Sequence, residues 1–397
     1  MHMTKTLSQV GIIIFVYYIA YYTFVGLINP VPALGDSWDY HIPISNSILN
    51  GSFWYPPHTK TIGQYFPGSS EAINSILILL HVPLTLSNIV AVIVLFFVCF
   101  KLGLVFRLKY YSSLLFASTI CTLNVFVRWY NAVSIDVWVG VFFLLGIIFL
   151  ERPQKSLIYF LKLGFVLGML LGSKYTGVAF VLILLVVYHR NFLNNFALKQ
   201  IIVFLIPFSV FGIFWYARNY IFLRNPFYPL AMLGFKGINY YRDPIYNEIL
   251  KRPLVMFNAV FGEYNIWLLF VFAFVVIFLY KRFSKKQIKI FGINRLFLLG
   301  VLNLILLLNF PTSYQPWVMV SSMRYSYPTF IPLILCIFIL ASYYKKEHIL
   351  GLIAIGNMLM SLSTVYYPKL TLIYIPLSLT IIYLIEKYKT TSLIKMS

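Results

Sequence analysis

Apolar runs long enough, or nearly long enough, to cross a membrane repeat along almost the whole of this 397-residue chain. A helix needs about 20 apolar residues to cross the hydrocarbon core of a bilayer, and only helices or closed barrels satisfy their backbone groups there. We therefore predict an all-α, polytopic integral membrane protein with about twelve transmembrane helices, within a range of eleven to thirteen because one run is short. The candidate spans are 8–28, 87–106, 111–127, 133–150, 157–172, 176–188, 200–221, 264–280, 295–310, 326–343, 348–364 and 370–386.

The composition supports this class of protein and argues against a soluble one. Hydrophobic residues make up 61% of the chain and charged residues only 10%, with a mean hydropathy of +0.85. Soluble domains are roughly half apolar and about 25% charged. The net charge of +21 would suggest nucleic-acid binding in a soluble protein. Here the basic residues lie between apolar runs, as they do in cytoplasmic loops, so we expect no nucleic-acid partner.

The distribution of charge predicts the topology. With the N-terminus in the cytoplasm, 20 of the 31 lysines and arginines fall on the cytoplasmic side, in agreement with the positive-inside rule. Of the ten acids, only Glu151, Glu347 and Glu386 fall there. We expect a multi-pass protein of the plasma membrane whose chemistry lies on the extracytoplasmic side.

Two long segments, 29–86 and 222–262, and a shorter one at 311–325 are predicted on that outer side. Loops of this length usually carry function. Within the first segment, residues 71–84 are apolar but short, and we predict an interfacial or partly inserted helix there instead of a span. We treat residues 1–397 as a single transmembrane domain with juxtamembrane helices and a candidate catalytic motif in the first loop.

The first outer loop begins with a cluster of polar side chains. Asp36, Asp39 and His41 offer two carboxylates and an imidazole, which suffice for general-base catalysis or for part of a metal site. Alternatively, Asp36 caps a juxtamembrane helix that begins near Ser37. Glu71 follows a Phe-Pro-Gly turn and would add a carboxylate at the same face. Alternatively, it only stabilises the N-terminus of the helix that begins there.

Two further ionisable residues lie at the ends of predicted spans, where they are costly unless paired or functional. Asp136 begins one span, and Asn131 or Ser134 would satisfy its carboxylate if the role is structural. Lys174 interrupts an apolar hairpin on the predicted outer side, against the positive-inside trend. It either snorkels to the headgroups or contacts a phosphate.

Three arginines are also predicted on the outer side: Arg218, Arg224 and Arg324. Their aromatic neighbours are typical of ordinary membrane anchoring. Together with Lys174, however, they place four cations opposite an acidic loop. Because arginine binds phosphate through two parallel hydrogen bonds, these residues are candidates for an anion site.

In this order, the motifs resemble the GT-C superfamily of glycosyltransferases that use polyprenyl-phosphate sugars. The resemblance is to the bacterial relatives of protein O-mannosyltransferases and of the aminoarabinose transferase of lipid A. That family places an aspartate at the end of the first helix, four residues before an aromatic, and Asp36 stands four residues before Tyr40. Similar too are the turn before Glu71, the Ser134-to-Asp136 step, the Lys-Tyr-Thr-Gly corner at Lys174, and Arg218-Asn219 followed by Asn-Pro-Phe-Tyr-Pro-Leu. The resemblance runs from about residue 8 to 235, and beyond that only Arg324-Tyr325 is similar.

This resemblance implies inverting transfer of a hexose or pentose from a polyprenyl phosphate to an acceptor hydroxyl on the extracytoplasmic face. It implies Asp36 as general base, with Lys174, Arg218, Arg224 and Arg324 binding the donor phosphate. Asp39, His41, Glu71 and Asp136 would bind the acceptor or sugar, or support Asp36. Ser37 follows the motif aspartate where the family often has a second acid, so a divalent cation is not firmly implied. The implied partners are the lipid-linked sugar, membrane lipids, and a glycan, lipid or protein acceptor.

Two other functions remain open from the sequence. A flippase or transporter of lipid-linked glycans would hide its ionisable residues mid-membrane, often in paired repeats with broken helices, and we see no convincing repeat. An O-antigen-type polymerase also acts outside on lipid-linked sugars, but a large, late, arginine-rich loop would favour it, whereas the largest loop here is early and acidic. The sequence names neither the sugar nor the acceptor.

Overall fold

A computed structural model describes residues 2–32, 35–56, 62–193, 197–238, 244–283, 290–310 and 320–366. Within these ranges the chain is helical, apart from turns, loops and one isolated β-bridge between Leu230 and Ile238. The all-α prediction is therefore confirmed. The predicted span at 370–386 lies outside the described residues.

The helices follow the predicted apolar runs closely in the first half of the chain. They are α1 (His2–Ile28), α2 (Ile42–Leu49), α3 (Glu71–Leu79), α4 (Ser87–Val105), α5 (Tyr110–Cys121), α6 (Asn124–Val127), α7 (Asp136–Glu151), α8 (Leu157–Ser173), α9 (Thr176–Val187) and α10 (His189–Leu193). The second half contains α11 (Leu198–Phe208), α12 (Phe214–Leu223), α13 (Ile245–Lys251), α14 (Pro253–Tyr264), α15 (Ile266–Phe283), α16 (Ile293–Leu308), α17 (Tyr327–Tyr343) and α18 (Glu347–Tyr366).

Several of these helices are long and apolar enough to cross a membrane. In the described part they are Met3–Ile28, Leu84–Val105, Leu198–Leu223 and Val320–Tyr343, and α14 with α15 forms a fifth candidate bent by 106°. Shorter apolar helices lie at Leu157–Ser173, Thr176–Val187, Ile293–Leu308 and Glu347–Ser361. The multi-pass prediction is confirmed, while the count of twelve spans stays a prediction.

Two predicted loops differ from expectation because they contain helices. The segment 222–262 includes α13 and most of α14, which turns sharply into α15 at Asn265, a residue with a φ of 50°. Arg128 holds this bend in place, since its Nε and Nη2 donate to Oε1 of the buried Glu263 at 3.0 and 2.8 Å. The segment 311–325 also becomes helical from Val320, so the next span begins earlier than the predicted residue 326.

The long helix that runs from α11 to α12 changes pitch at its centre. Pro207 has no backbone N–H, so it breaks the regular hydrogen-bond ladder of α11, and a π-helical turn follows at Ser209–Ile213. The backbone of this irregular region faces α8, where Gly164, Gly168 and Gly172 allow it to come close. A proline and three glycines thus set the packing of these two elements.

Contacts separate the connections into two ends, as the topology predicts. At one end, Arg295 pairs with Glu151, and Lys109 pairs with Glu347 at 3.2 Å. These are connections that the charge distribution assigns to the cytoplasm. At the other end, the first loop meets the start of α7 and the turn between α8 and α9, as described below. Which end faces the cytoplasm stays a prediction.

The first loop is fastened to this second end by its own short helices. The helix α3 has nine residues, so it extends about 14 Å and is too short to cross a core of about 30 Å. It begins at Glu71, after the backbone N–H of Ser69 has donated to the carbonyl of Gly172 at 2.8 Å. Side-chain hydroxyls of Ser70 and Ser173 also bond to each other. These contacts fix the first loop against the C-terminus of α8.

We expect Gly172→Ala to destabilise the protein markedly. A Cβ at this position would lie 1.8 Å from the carbonyl oxygen of Phe211, a backbone atom that cannot move without shifting the π-helical turn. Overpacking of this kind costs about 1–3 kcal/mol or more. The measurement is thermal unfolding of the purified protein in detergent.

Gly262→Ala is the matched control, since a Cβ there would meet no atom within 4 Å. Alanine is the better helix former, so this variant should unfold at the parent's temperature or slightly above it. Equal melting of the two variants would contradict the close approach at Gly172.

Candidate active site

Asp36 directly precedes a π-helical turn in the first loop, eight residues after α1 ends at Ile28. The turn covers Ser37–His41, and such turns are frequent at functional sites. The Asp36 side chain makes no capping hydrogen bond, so the helix-cap explanation does not hold. Instead its Oδ2 accepts a hydrogen bond from Nη2 of Arg324 at 2.5 Å, and the hydroxyl of Tyr40 lies 3.5 Å away. The side chain keeps 37% exposure, so it remains open to a substrate.

Ser37 anchors this turn to the segment that precedes α7. Its buried hydroxyl donates to the carbonyl of Val133 at 3.0 Å and accepts from the N–H of the same residue at 3.3 Å. Asp36 is therefore held at a fixed position relative to Asp136, three residues farther along. A serine at this position has a clear structural role, which explains its place directly after the aspartate.

Asp136, at the first residue of α7, is buried between two cations. Lys174 Nζ donates to its Oδ1 at 2.9 Å, and Arg324 Nε lies 3.3 Å from its Oδ2. Neither Asn131 nor Ser134 supplies this pairing, because Asn131 donates to backbone carbonyls and Ser134 accepts from Asn88. The cost of burying the carboxylate is met by charges from distant parts of the chain.

Lys174 does not snorkel to the membrane surface. Only 11% of its side chain is exposed, and its amine lies 4.2 Å from the ring centre of Tyr325 in addition to its bond with Asp136. Arg324 also stacks near that ring, at 5.4 Å. The aromatic face stabilises both cations where water is scarce. In the sequence, Tyr325 is notable only as part of the family-like Arg324-Tyr325 pair, and its contacts with the two cations could not be predicted from it.

Asp36, Asp136, Lys174 and Arg324 form one cluster of two acids and two cations, which we call the charge cluster. Its formal charge is zero, and Arg324 joins the two carboxylates. One donor of that guanidinium, Nη1, is buried and makes no hydrogen bond within the described ranges. The cluster thus has spare hydrogen-bonding capacity at its centre.

The environment of Asp36 keeps its carboxyl ionised. Burial raises the pKa of this group, but the nearby charges of Arg324, Lys174 and His41 lower it by more, so the pKa lies below its ordinary value. For the neighbouring phenol of Tyr40, burial is the largest influence, and it raises the pKa well above its usual range. Near neutral pH, Asp36 is an anion and Tyr40 is a neutral hydrogen-bond donor.

His41 and Glu71 form a second pair behind the turn. Nδ1 of His41 and Oε1 of Glu71 are 3.0 Å apart, and both side chains are buried. The ring of His41 packs against Tyr40 at 4.1 Å between centres. His41 and Glu71 therefore form a buried pair packed against the Tyr40 side of the turn.

Asp39 and Arg224 are not joined to the charge cluster. Both residues are exposed, and in the described part of the chain no ion pair involves either side chain. The backbone carbonyl of Asp39 accepts from Gln64 at 3.0 Å, which leaves its carboxylate on the surface of the turn. Arg224 ends α12 with a φ of 56°. We therefore leave Arg224 out of the proposed site.

Arg218 occupies a separate position beside the first loop. Its guanidinium donates to the carbonyls of Phe53 and Tyr65 at 3.2 and 3.3 Å and to the amide oxygen of Asn219. It also lies over Trp215, with 4.8 Å to the ring centre. The four predicted cations thus separate into a pair at Asp136, one buried arginine elsewhere, and one exposed arginine.

The described residues form no cluster of side chains suited to hold a metal ion. Within the ranges that the structure covers, no three side chains of His, Cys, Asp or Glu come together as metal ligands. The two carboxylates of the charge cluster face an ammonium and a guanidinium instead.

The fold has a known counterpart among solved membrane proteins. The crystal structure of ArnT from Cupriavidus metallidurans in the apo state superposes with a TM-score of 0.51 at 14% identity, covering 87% of this chain. The chain has the fold of ArnT. It spans only 63% of that protein's length. ArnT is the aminoarabinose transferase of lipid A and has a GT-C fold, so the predicted GT-C resemblance is confirmed at the level of the fold.

A second solved structure is also similar, the apo oligosaccharyltransferase of Archaeoglobus fulgidus. It aligns with a TM-score of 0.48 and 12% identity over 93% of this chain and 56% of its own length. By sequence, no family model matches the chain. No curated protein matches it either.

We expect Lys174→Met to destabilise the protein by roughly 3 kcal/mol, because removal of one partner leaves a buried carboxylate undercompensated. The double variant Asp136→Asn/Lys174→Met should recover at least about 1 kcal/mol of this loss, as coupled neighbours do. Unfolding in mixed micelles with increasing SDS measures both quantities.

Lys109→Met is the control, since Lys109 also pairs with a glutamate but is 64% exposed. An exposed pair contributes about 0–1 kcal/mol. If Lys174→Met costs no more than Lys109→Met, the charge cluster does not stabilise the fold.

Proposed function

We propose that this protein is a membrane glycosyltransferase that moves a hexose or pentose from a polyprenyl phosphate to an acceptor hydroxyl, with inversion. The observation that carries the proposal is the half-exposed, ionised carboxylate of Asp36, held against buried cations at the mouth of the helices. The ArnT-like fold supports the same reaction class. We place the site on the extracytoplasmic face of the plasma membrane, in a single transmembrane domain.

The chemistry requires one base and a stabilised leaving group. Asp36 accepts the proton of the acceptor hydroxyl, and the acceptor oxygen forms a bond to the anomeric carbon on the face opposite the phosphate. The bond between that carbon and the phosphate oxygen breaks, and its electron pair stays on the polyprenyl phosphate. The leaving group is already a stable anion, so it needs cations and no proton donor. A glycan, a lipid or a protein can present the hydroxyl.

Lys174 and Arg324 stabilise the charge that develops on the phosphate. Preorganised charges in a site with little water are effective because they need no rearrangement during the reaction. Arg324 has an unused donor at Nη1, and arginine suits the geometry of phosphate oxygens. A bound phosphate competes with Asp36 for this guanidinium. As that competition weakens the Arg324–Asp36 pair, the affinity of Asp36 for a proton rises.

The remaining polar residues act around this centre. Asp136 holds Lys174 and Arg324 in position. His41 and Glu71 are positioning residues that fix the π-helical turn from behind. Asp39 is exposed on the same turn, three residues after Asp36, and is suited to bind hydroxyls of the sugar or acceptor.

We expect Asp36→Asn to lower transfer at least 100-fold, because loss of a general base costs about 10²–10⁴ in rate. Asp39→Asn should lose less than about tenfold, since a surface hydrogen bond contributes about 1 kcal/mol. The assay follows labelled sugar from a panel of undecaprenyl-phosphate-linked hexoses and pentoses into lipid, glycan and protein fractions in proteoliposomes.

Retained turnover in Asp36→Asn would rule out the general-base role. Movement of intact labelled donor across the bilayer without transfer, in the parent protein, would instead establish the transporter. A product of increasing chain length would indicate the polymerase.

The pH dependence tests the pairing of Asp36 with Arg324. Because the pKa of Asp36 is depressed in the free protein, kcat/KM should stay level through neutral pH and fall only at pH values below the ordinary pKa of an aspartate. In Arg324→Gln the main lowering influence is lost while burial still raises the pKa. The acid limb of the residual activity should therefore move to higher pH.

Arg224→Gln serves as the control and should leave the acid limb in place, because this arginine has no ion pair with Asp36. An unchanged limb in Arg324→Gln would show that Asp36 is not the group that titrates.

A further inference from the structure

Arg324 lies on a short turn that closes on itself. This single 3₁₀ turn, Met323–Ser326, leads directly into α17, and we call it the Arg324 turn. The buried hydroxyl of Ser326 donates to the carbonyl of Met323 at 2.5 Å, so the last residue of the turn is bonded to the first. Because Arg324 is the ion-pair partner of Asp36, the position of this turn determines how well that carboxylate is compensated.

One residue at the end of α14 holds this turn from outside. The hydroxyl of Tyr264 is in hydrogen-bond contact with the hydroxyl of Ser326. A serine hydroxyl has one proton, and that of Ser326 goes to Met323, so Tyr264 is the donor and Ser326 the acceptor. The ring of Tyr264 also stacks on Phe330 of α17, with 4.0 Å between ring centres. Tyr264 thus contacts both the Arg324 turn and the helix that follows it.

The bend between α14 and α15 is itself held by the two residues before Tyr264. The side-chain amide of Asn124 donates to the carbonyl of Gly262 at 2.8 Å. Next to it, Arg128 donates twice to the buried Glu263. Three consecutive residues are therefore bonded in turn, the first two to α6 and the segment directly after it, and the third to the Arg324 turn. The bend connects these two parts of the protein.

The backbone at the bend indicates that these contacts are needed to keep its shape. Asn265 has a φ of 50° and a ψ of −132°, a conformation that costs free energy in residues other than glycine. Its side-chain amide is buried, and neither the oxygen nor the nitrogen has a hydrogen-bond partner in the described part of the chain. Such a conformation persists only where the surrounding contacts determine it. Here those contacts are the bonds of the three residues that precede Asn265.

The helix α6 also contacts the other side of the Arg324 turn. The hydroxyl of Tyr327, the first residue of α17, donates to the carbonyl of Val125 at 3.1 Å, and its ring stacks on Phe126 at 4.2 Å. Trp129, shortly after α6, has its ring centre 6.0 Å from the guanidinium carbon of Arg324. The bend, α6 and the Arg324 turn thus each contact the other two, so a shift of the bend would shift Arg324.

We propose that Tyr264 is a positioning residue for Arg324. Its hydroxyl holds the Arg324 turn through Ser326, so that the guanidinium stays paired with Asp36. The ion pair beside Tyr264 in turn holds the bend. That Arg324 serves glycosyl transfer rests on the proposed function, whereas the placement of Arg324 by Tyr264 does not.

The pKa of Asp36 reports the position of Arg324 without turnover. The groups that face Asp36 are the charges of Arg324, Lys174 and His41 and the hydroxyl of Tyr40. Infrared difference spectra of the full chain in lipid nanodiscs follow the carbonyl stretch of protonated carboxyls as the pH falls. The band of Asp36 is the one that is absent from Asp36→Asn, and its midpoint gives the pKa.

Tyr264→Phe removes only the donor hydroxyl and keeps the ring on Phe330. It should raise the pKa of Asp36 by about 0.3 or more, a fraction of the lowering that a close opposite charge supplies. Ser326→Ala removes the acceptor and should have the same effect. In Arg324→Gln, where the pKa of Asp36 is already raised, Tyr264→Phe should add nothing, because Tyr264 acts only through Arg324.

Tyr159→Phe is the matched control, since the hydroxyl of this buried tyrosine also bonds across helices, to the carbonyl of Phe149 at 2.8 Å. That bond lies at the opposite end of the molecule, so the pKa of Asp36 should change by less than about 0.3. The proposal is wrong if Tyr264→Phe and Ser326→Ala change this pKa no more than the control does. It is equally wrong if the full shift of Tyr264→Phe persists in Arg324→Gln, because a general loosening of the fold would then explain it.

The transfer assay separates this proposal from the proposed function. In Tyr264→Phe, the acid limb of kcat/KM should move to higher pH together with the infrared midpoint of Asp36. An infrared shift in a protein that transfers no sugar would overturn the glycosyltransferase assignment and leave the positioning role standing. Sugar transfer with an unmoved midpoint in Tyr264→Phe would overturn the positioning role alone.

Discussion

The two carboxylates that share Arg324 are the interaction on which the site depends. Asp36 comes from the first loop, Asp136 from the start of α7, Lys174 from the turn between α8 and α9, and Arg324 from the approach to α17. Burying any one of these charges alone would cost desolvation free energy, and the opposite charges nearby offset that cost. The four charges are therefore paired only when the four segments that carry them pack together correctly.

Glycines and a proline set how closely those segments meet. Gly172 lets α8 approach the π-helical turn that follows Pro207, and this approach brings the start of the Lys174 turn against the first loop. Serine hydroxyls then fasten the loop, with Ser37 bonded to Val133 and Ser70 to Ser173. Small residues thus determine where the large charged ones lie.

Much of this fold could be predicted because apolar runs bounded by polar residues dictate helices in a membrane. The run 157–172 became α8 and 176–188 became α9, almost to the residue. The bend at Asn265 could not be predicted, since it depends on an ion pair between residues 135 apart in sequence. The partners of the predicted site residues could not be predicted from the sequence either. Asp136 and Lys174 were identified separately as costly charges, but their pairing is a tertiary contact. Arg218 and Arg224 looked alike in sequence, and only burial distinguishes them.

The location of ion pairs also determines how the molecule responds to ionic strength. The charge cluster is formally neutral, and its members other than Asp36 are buried, so dissolved salt screens the pairs around Asp136 little. At the opposite end, the Lys109 side chain is 64% exposed in its pair with Glu347, so salt screens this pair more readily. High salt therefore weakens the Lys109–Glu347 pair before it weakens the pairs that Asp136 makes with Lys174 and Arg324. The protein tolerates a changing ionic environment best where its charges are most closely packed.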